Sequence, residues 1–302
     1  IGTHNGTFHC DEALATALLK TLPAYKDHAI VRTRDPEQLA KCEIVVDVGG
    51  EYDAARRRFD HHQKTFSETL EGYATKLSSA GLVYKHYGRD VLRATLAELD
   101  STGSGVADEL IEVLYRKMYI EFVEHIDGID NGVEVADGEL RYKVSTTLSS
   151  RVSHLNPAWN ASGDNDTRNA AFRAAMLLTG TEFVDAVVRA ATSWWPARSL
   201  VQASVASAVA GGVDGCPPGE VLVLERYCPW QGHLFDLEAA GTAGAEAGRA
   251  KYVLYTDTSG MWRIQAVPVA LGSFTSRIAL PEAWRGLRDE ALSKEAGVEG
   301  CT

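Results

Sequence analysis

The amino-terminal part of the chain concentrates imidazoles and carboxylates in three short motifs. They are Thr3-His4-Asn5-Gly6-Thr7-Phe8-His9-Cys10-Asp11, Val45-Val46-Asp47-Val48-Gly49 and Phe59-Asp60-His61-His62. Histidine nitrogen and carboxylate oxygen are the usual ligands of zinc, manganese and related divalent ions. Two such ions a few Å apart suit phosphate-ester hydrolysis, because they polarise phosphoryl oxygens and lower the pKa of a nearby water. A centre of that kind wants one carboxylate between the ions and further ligands on each side. Asp47 is the expected bridge, with His4 and His9 on one ion and Asp11 and His61 on the other. Another carboxylate is expected from His125-Ile126-Asp127-Gly128-Ile129-Asp130, where Asp127 and Asp130 are one helical turn apart and both qualify. His62 is the candidate acid for the leaving oxygen.

These residues need elements to hold them. Ile1–Thr3 reads as the end of a buried strand turning at Asn5-Gly6. Asp11–Leu22 carries Ala13, Leu14, Ala17 and Leu18 at helical spacing and stops before Pro23. Ala29–Arg34 reads as a short strand, and Asp35-Pro36 as an N-cap followed by proline at the first helical position. Ile44–Val48 is a β-branched strand closed by Gly49-Gly50. Strand, helix, strand, helix, strand predicts an α/β fold with a parallel sheet. His4 and Asp47 then fall at the carboxyl ends of strands, where open α/β sheets bind ligands.

Further on, Asp108 to about Asp130 is predicted as one long amphipathic helix with Leu110, Leu114, Ile120 and Val123 apolar. Helical patterns follow over Asn169–Leu178, from Glu182 through Trp195 to Pro196, and over Ser199–Val209. The densest breaker run is Gly211-Gly212-Val213-Asp214-Gly215-Cys216-Pro217-Pro218-Gly219, which marks a boundary. The expectation is a domain over 1–210 and a smaller α+β domain over 218–302. In the latter, Glu220–Glu225, Lys251–Thr256 and Met261–Val267 read as strands, the last two as a hairpin, and Glu282–Ser293 as a helix. The Ala/Gly-rich Ala239–Ala250 reads as a helix or a loose loop.

Bulk properties narrow the function. The 302 residues suffice for two cores, and no apolar run approaches a membrane span, so no membrane role is expected. Five cysteines, at 10, 42, 216, 228 and 301, form neither a disulfide framework nor a CxxC site and suggest a reducing compartment. A net charge of −11 argues against a protein that coats nucleic acid, though not against one that grips a single end at bound metal ions. No feature sets an oligomeric state.

Asp60-His61-His62 behind the Asp47 strand and the His4/Asp11 motif resembles the DHH phosphoesterase superfamily. More closely, the stretches Thr3–Ala13, Val45–Asp53, Phe59–Gln63, Ser193–Arg198, Ser276–Pro281 and Trp284–Glu290 resemble the Myg1 family along the whole chain. That resemblance implies a DHH-like parallel-sheet domain with a smaller second domain that closes over the substrate. It also implies a metal-dependent 3′→5′ exonuclease of mitochondrion or nucleus, acting on single-stranded RNA or a short oligonucleotide. Carried over residue by residue, it puts His4, His9, Asp11, Asp47, His61 and Asp127 on metal. His62 then faces the scissile phosphate, and Asp60 orients a histidine. The ions expected are two, manganese first. The extra nitrogen of His9, where the superfamily commonly has aspartate, shifts preference toward zinc, cobalt or nickel. The superfamily's second domain usually closes with a glycine-rich substrate-binding segment, and this chain reaches Cys301-Thr302 without one, so either the chain is cut short or substrate is held differently.

Two cations are candidate substrate contacts. Arg57 lies in Arg56-Arg57-Arg58, a charge run whose ordinary reading is a solvated face. Arg277 is the cation that the smaller domain of these enzymes would offer to phosphate. Trp194-Trp195 and Trp230 read as packing before base stacking. Cys10 is not expected among the ligands, and His125 reads as core or as a neighbour of the ligands. The competing expectations are hydrolysis of small phosphoanhydrides or short oligonucleotides and, outside catalysis, a metal-stabilised binding protein.

Overall fold

A computed structural model describes residues 1–99, 105–161 and 163–302. By packing, the chain divides into two compact units, Ile1–Ala191 and Thr192–Thr302.

The first unit is built on a five-stranded sheet of very short strands: β1 (Gly2–Thr3), β2 (Val31–Arg32), β3 (Val45–Val46), β4 (Tyr52–Asp53) and β5 (Arg58–Phe59). Their order is β2-β1-β3-β5-β4, with every pairing parallel except the β4 edge. The expected parallel α/β core is therefore present in this unit. Helix α1 (Cys10–Thr21) is buried along almost its whole length, from Cys10 to Leu19. Each fully buried leucine, such as Leu14 or Leu19, contributes about 1.5–3 kcal/mol of burial. Helix α2 (Pro36–Ala40) is capped by Asp35, whose side chain accepts from the Glu37 N–H at 2.9 Å.

Helix α3 (Ser79–Ala97), unanticipated in the sequence, packs along α1, and its N-cap Ser78 accepts from the Ala80 N–H. The single helix expected from Asp108 to Asp130 is interrupted. It runs as α4 (Asp108–Met118), a π turn at Tyr119–Val123, and α5 (Glu124–Asp130). A π turn inserts an extra residue and resets the helical phase. Ile120, expected on the apolar face, accordingly lies 54 % exposed, while Leu114 and Val123 are buried. After an irregular stretch comes the short α6 (Leu148–Ser153). The two helical patterns around Gly180 prove to be one helix, α7 (Asn165–Arg189), ending in a second π turn at Ala190–Trp194. Gly180 does not break it, because a Cβ there would come 3.1 Å from the Ala17 methyl: the glycine serves close approach to α1.

The second unit holds a three-stranded sheet, β6 (Val221–Val223), β7 (Tyr252–Thr256) and β8 (Trp262–Ala266). The β6–β7 pair is parallel and β7–β8 is the expected antiparallel hairpin. Helices α8 (Ala197–Val209) and α9 (Trp230–Ala240) pack together, α8 also lying against β6, over a core that includes Val201, Val205, Leu222, Leu234, Leu237 and Val253. By packing, α8 thus belongs with the second unit, whereas the glycine-proline run places the boundary after it. Glu282–Ser293 is not one helix. A turn of 3-10 helix at Glu282–Trp284 is separated from α10 (Asp289–Ala296) by Gly286, whose φ of 79° stops the first.

Candidate metal centre

The carboxyl ends of β1, β3 and β5 deliver His4, Asp47 and Asp60-His61-His62 to one place. Asp47 is set there at some cost. Its φ is +56°, a left-handed conformation that disfavours side chains bearing a Cβ by roughly 1–3 kcal/mol. The following Gly49 and Gly50 also take positive φ, and the turn lets the Gly50 N–H donate to Asp60 Oδ2 at 2.6 Å. Asp60 Oδ1 in turn accepts from the His62 N–H at 3.1 Å and lies 2.7 Å from His62 Nδ1. Asp60 therefore fixes the His62 ring, whose side chain is 62 % exposed.

Asp47 is the hub. Its Oδ2 lies 3.3 Å from His4 Nε2, and its Oδ1 lies 3.4 Å from His61 Nε2 and 3.6 Å from His62 Nδ1. The Ser79 hydroxyl shares its one proton between the same Oδ1 at 3.2 Å and the Phe59 carbonyl at 2.9 Å. His4 Nε2 also lies 2.9 Å from Glu12 Oε1, while the Glu12 carboxylate accepts from the His9 N–H at 2.9 and 3.0 Å. His61 Nε2 comes within 3.0 Å of Asp130 Oδ2 without hydrogen-bond alignment, so both its buried ring nitrogens lack a hydrogen-bond partner. Among the described residues, the two oxygens of buried Asp11 lack one as well.

Ligand-type atoms gather into three groups: His4, His9, Glu12 and Asp47; Asp47, His61 and His62; and His9, Asp11 and Asp130. Asp47 and His9 each belong to two of them. The electrostatics of this cluster show what it wants. Burial pushes Asp11 well above the ordinary carboxylate range, and Asp47, Asp130 and Glu12 push it further. Burial lowers His4 and His61, yet the carboxylates of Asp47 and Glu12 on one and of Asp130 and Asp47 on the other raise each to about 10. Burial also raises Asp47, but His4 and His61 outweigh it and hold Asp47 well below the usual range. Four buried or half-buried carboxylates are here drawing in positive charge, and protons on imidazole are the substitute for a cation. Orphaned ligand atoms and a mixed nitrogen–oxygen donor set fit divalent metal.

The cluster opens on a cavity of about 1160 Å³ whose lining includes His9, Asp11, Asp47, His62, Asp130 and Lys143. The volume accommodates a nucleotide-sized ligand.

Comparison with known proteins places this chain. A family profile, MYG1_exonuc, described as "Uncharacterised protein family (UPF0160)", matches residues 1–302. The chain belongs to that family. The "MYG1 exonuclease" of Homo sapiens is 51 % identical over 309 residues, covering 100 % of this chain and 78 % of the relative. That of Bos taurus is 50 % identical over 309 residues, covering 100 % and 77 %. No solved structure matches.

Of the ligand positions expected from the resemblance to the DHH superfamily pattern, His4, His9, Asp11, Asp47 and His61 all lie in the cluster. Asp127 does not. Its Oδ1 accepts from the Ser78 N–H at 2.9 Å, the Ser78 hydroxyl at 2.7 Å and the Gly81 N–H at 3.0 Å. The carboxylate that reaches the cluster from α5 is Asp130. The two candidate substrate cations are engaged elsewhere. Arg57 pairs with Glu43 and enters β5 from the end opposite to His61. Arg277, in the second unit, gives its guanidinium to Glu238 at 2.6 Å and to the Ala250 carbonyl at 3.0 Å. Trp194 stacks on His233, and His233 Nε2 lies 2.8 Å from the Trp194 carbonyl, a packing arrangement. Glu12 and Ser79 were not singled out in the sequence. Glu12 stands three residues after the N-cap His9, the spacing of a capping box, and that local habit hides its contact with His4.

Proposed function

We propose that this chain is a metal-dependent phosphodiesterase of the DHH superfamily that removes nucleotides from the 3′ end of single-stranded RNA at a dinuclear centre. The carrying observation is the sharing of Asp47 and His9 between groups of ligand atoms whose buried members Asp11 and His61 lack hydrogen-bond partners. The name borne by the human and bovine relatives, MYG1 exonuclease, supports nucleic acid as substrate.

In this reading His4, His9, Glu12 and Asp47 would hold one cation, and Asp11, Asp130 and His61, which adjoin His9 and Asp47, would supply ligands to the other. Bound divalent ions, manganese first and zinc, cobalt or nickel next, supply charge that polarises the phosphate and makes water a better nucleophile at neutral pH. The chain's own residues do the rest. Asp47, strained and hydrogen-bonded by Ser79, keeps the ligand sets on either side of it in register. Asp60 holds His62 through Nδ1, leaving Nε2 to give a proton to the departing 3′-oxygen. Lys143 on the cavity wall offers a cation to the next phosphate.

The test is end-labelled single-stranded RNA, matched DNA and pyrophosphate incubated with the protein and manganese, beside a His61→Ala control. A ladder receding from the RNA 3′ end and lost in His61→Ala supports the reading. The net charge of −11 favours a small anhydride as the second reading, and phosphate released from pyrophosphate alone would select it. His62→Gln should lower kcat roughly 10²–10⁴-fold. Its metal-induced rise in Tm should match that of the wild type, because the ring is exposed and metal is held by its neighbours. Loss of that rise in His62→Gln would make His62 a ligand instead.

A further inference from the structure

We propose that Asp127 is a positioning residue of the metal centre, and that it sets the separation between Asp130 and Asp47 by tying α5 to the start of α3. The inference rests on the reading of the cluster as a metal centre. Asp130 and Asp47 come from distant parts of the chain, yet both approach His61 Nε2, at 3.0 and 3.4 Å. Asp130 rides on the last residue of α5, and a frayed helix end alone would leave its carboxylate several Å of freedom.

Two straps remove that freedom. Asp127, fully buried one turn before Asp130, accepts from the Ser78 N–H, the Ser78 hydroxyl and the Gly81 N–H, so it caps the first turn of α3. Asn131, the residue after Asp130, donates through Nδ2 to the Lys76 carbonyl at 2.9 Å, just upstream of the same helix. Asp130 is thus bracketed by two side chains that both grip the entry to α3. The next residue of that helix, Ser79, shares its hydroxyl proton between Asp47 and the Phe59 carbonyl two residues ahead of His61. The path Asp130–Asp127–Ser78–Ser79–Asp47 therefore joins ligands from the helix side and the sheet side through the backbone of α5 and α3 and hydrogen bonds of 2.7 Å at Ser78 and 3.2 Å at Ser79. Gly81 belongs to the device, since a Cβ there would fall on the Asp127 carboxylate. Hydrogen bonds that fix ligands from outside the coordination shell commonly carry 10–100-fold in metal affinity.

The test titrates Mn²⁺ by calorimetry and records the Co²⁺ d–d absorption spectrum for wild type, Asp127→Ala, Asp127→Asn, Asp130→Asn and Ile111→Ala. Ile111 is a buried residue of α4 outside the cluster and serves as a stability control. Asp127→Ala is expected to bind Mn²⁺ about 10–100-fold more weakly than Ile111→Ala and to alter the Co²⁺ spectrum. Asp127→Asn, which keeps the acceptor oxygen, should recover wild-type affinity to within a few fold, whereas Asp130→Asn should not. Equal affinity in Asp127→Ala and Ile111→Ala would overturn the proposal and leave Asp127 a helix cap. A folded Asp127→Asn that binds as poorly as Asp130→Asn would overturn it in the other direction, by making Asp127 a ligand. Should Asp127→Ala not fold, Ser78→Ala removes one of the three donors and carries the same comparison, with a smaller loss expected and no loss overturning the proposal. A wild-type protein that binds neither ion would instead refute the metal centre itself.

Discussion

Among the described residues, the first unit buries a carboxylate, Asp11, that no donor meets, and the second buries one, Glu238, that has its cation. In the first, the oxygens of Asp11 meet no donor while Asp47, Asp130 and Glu12 crowd the same space. In the second, Glu238 receives both guanidinium arms of Arg277 at 2.6 Å, with the two side chains only 5 % and 9 % exposed. A buried charge that is paired within the chain is part of the fold, whereas buried charges left unpaired are a demand for a ligand. The same contrast describes Arg277, expected as a substrate contact and found paired with Glu238.

The sharpest way to break this comparison is to remove the cation from the second unit. Arg277→Met leaves Glu238 buried and unpaired, and loss of one partner of a buried pair costs about 3–5 kcal/mol. Chemical denaturation should show that loss with Mn²⁺ affinity unchanged. A variant as stable as wild type would mean that water reaches Glu238 freely, and the contrast between the units would fall.

Removal of a carboxylate from the cluster should do the reverse. Asp11→Asn deletes a group with no partner to orphan, so the chelated protein should keep its Tm. What it should lose is the response to metal. A ligand at a hundredfold its Kd stabilises the native state by about 2.7 kcal/mol. Calorimetric scans with and without Mn²⁺ should show most of that increment in wild type and little in Asp11→Asn. A fall in the Tm of chelated Asp11→Asn would show that the carboxylate holds the fold directly.

How much of this was legible beforehand follows from which interactions are local. His4, Asp47 and His61 sit in strand ends and turns whose signals span a few residues, so their convergence could be read from β-branched runs, Gly49-Gly50 and the parallel alternation. Asp127 against Asp130 could not. The apolar pattern of α4 predicts the phase of α5 only if the helix is continuous, and the π turn at Tyr119–Val123 resets it. Glu12 was hidden for the opposite reason, because its local role at the helix start is sufficient to explain it. Arg57 and Arg277 carried no local mark of Glu43 or Glu238, which lie 14 and 39 residues away.

Asp127 supplies a third way to bury a carboxyl group, and the smallest expected effect. Burial pushes it up to about 7, against the Ser78 and Gly81 donors that favour the charged form. In the unfolded chain the group returns to the ordinary value of about 3.8. Between those values the native state holds more protons than the unfolded one, so this group's contribution to stability falls as pH rises through the window and levels off above about 7. Asn is neutral throughout and keeps the acceptor. With metal chelated, the titration of the cluster is common to both proteins and cancels in their difference. The Tm of Asp127→Asn should therefore gain on that of wild type between about pH 4 and 7 and then run parallel to it. Parallel curves across the whole window would mean that Asp127 stays ionised in the native protein. Its cap on α3 would then draw on charge, and buried carboxylates here would be of two kinds, not three.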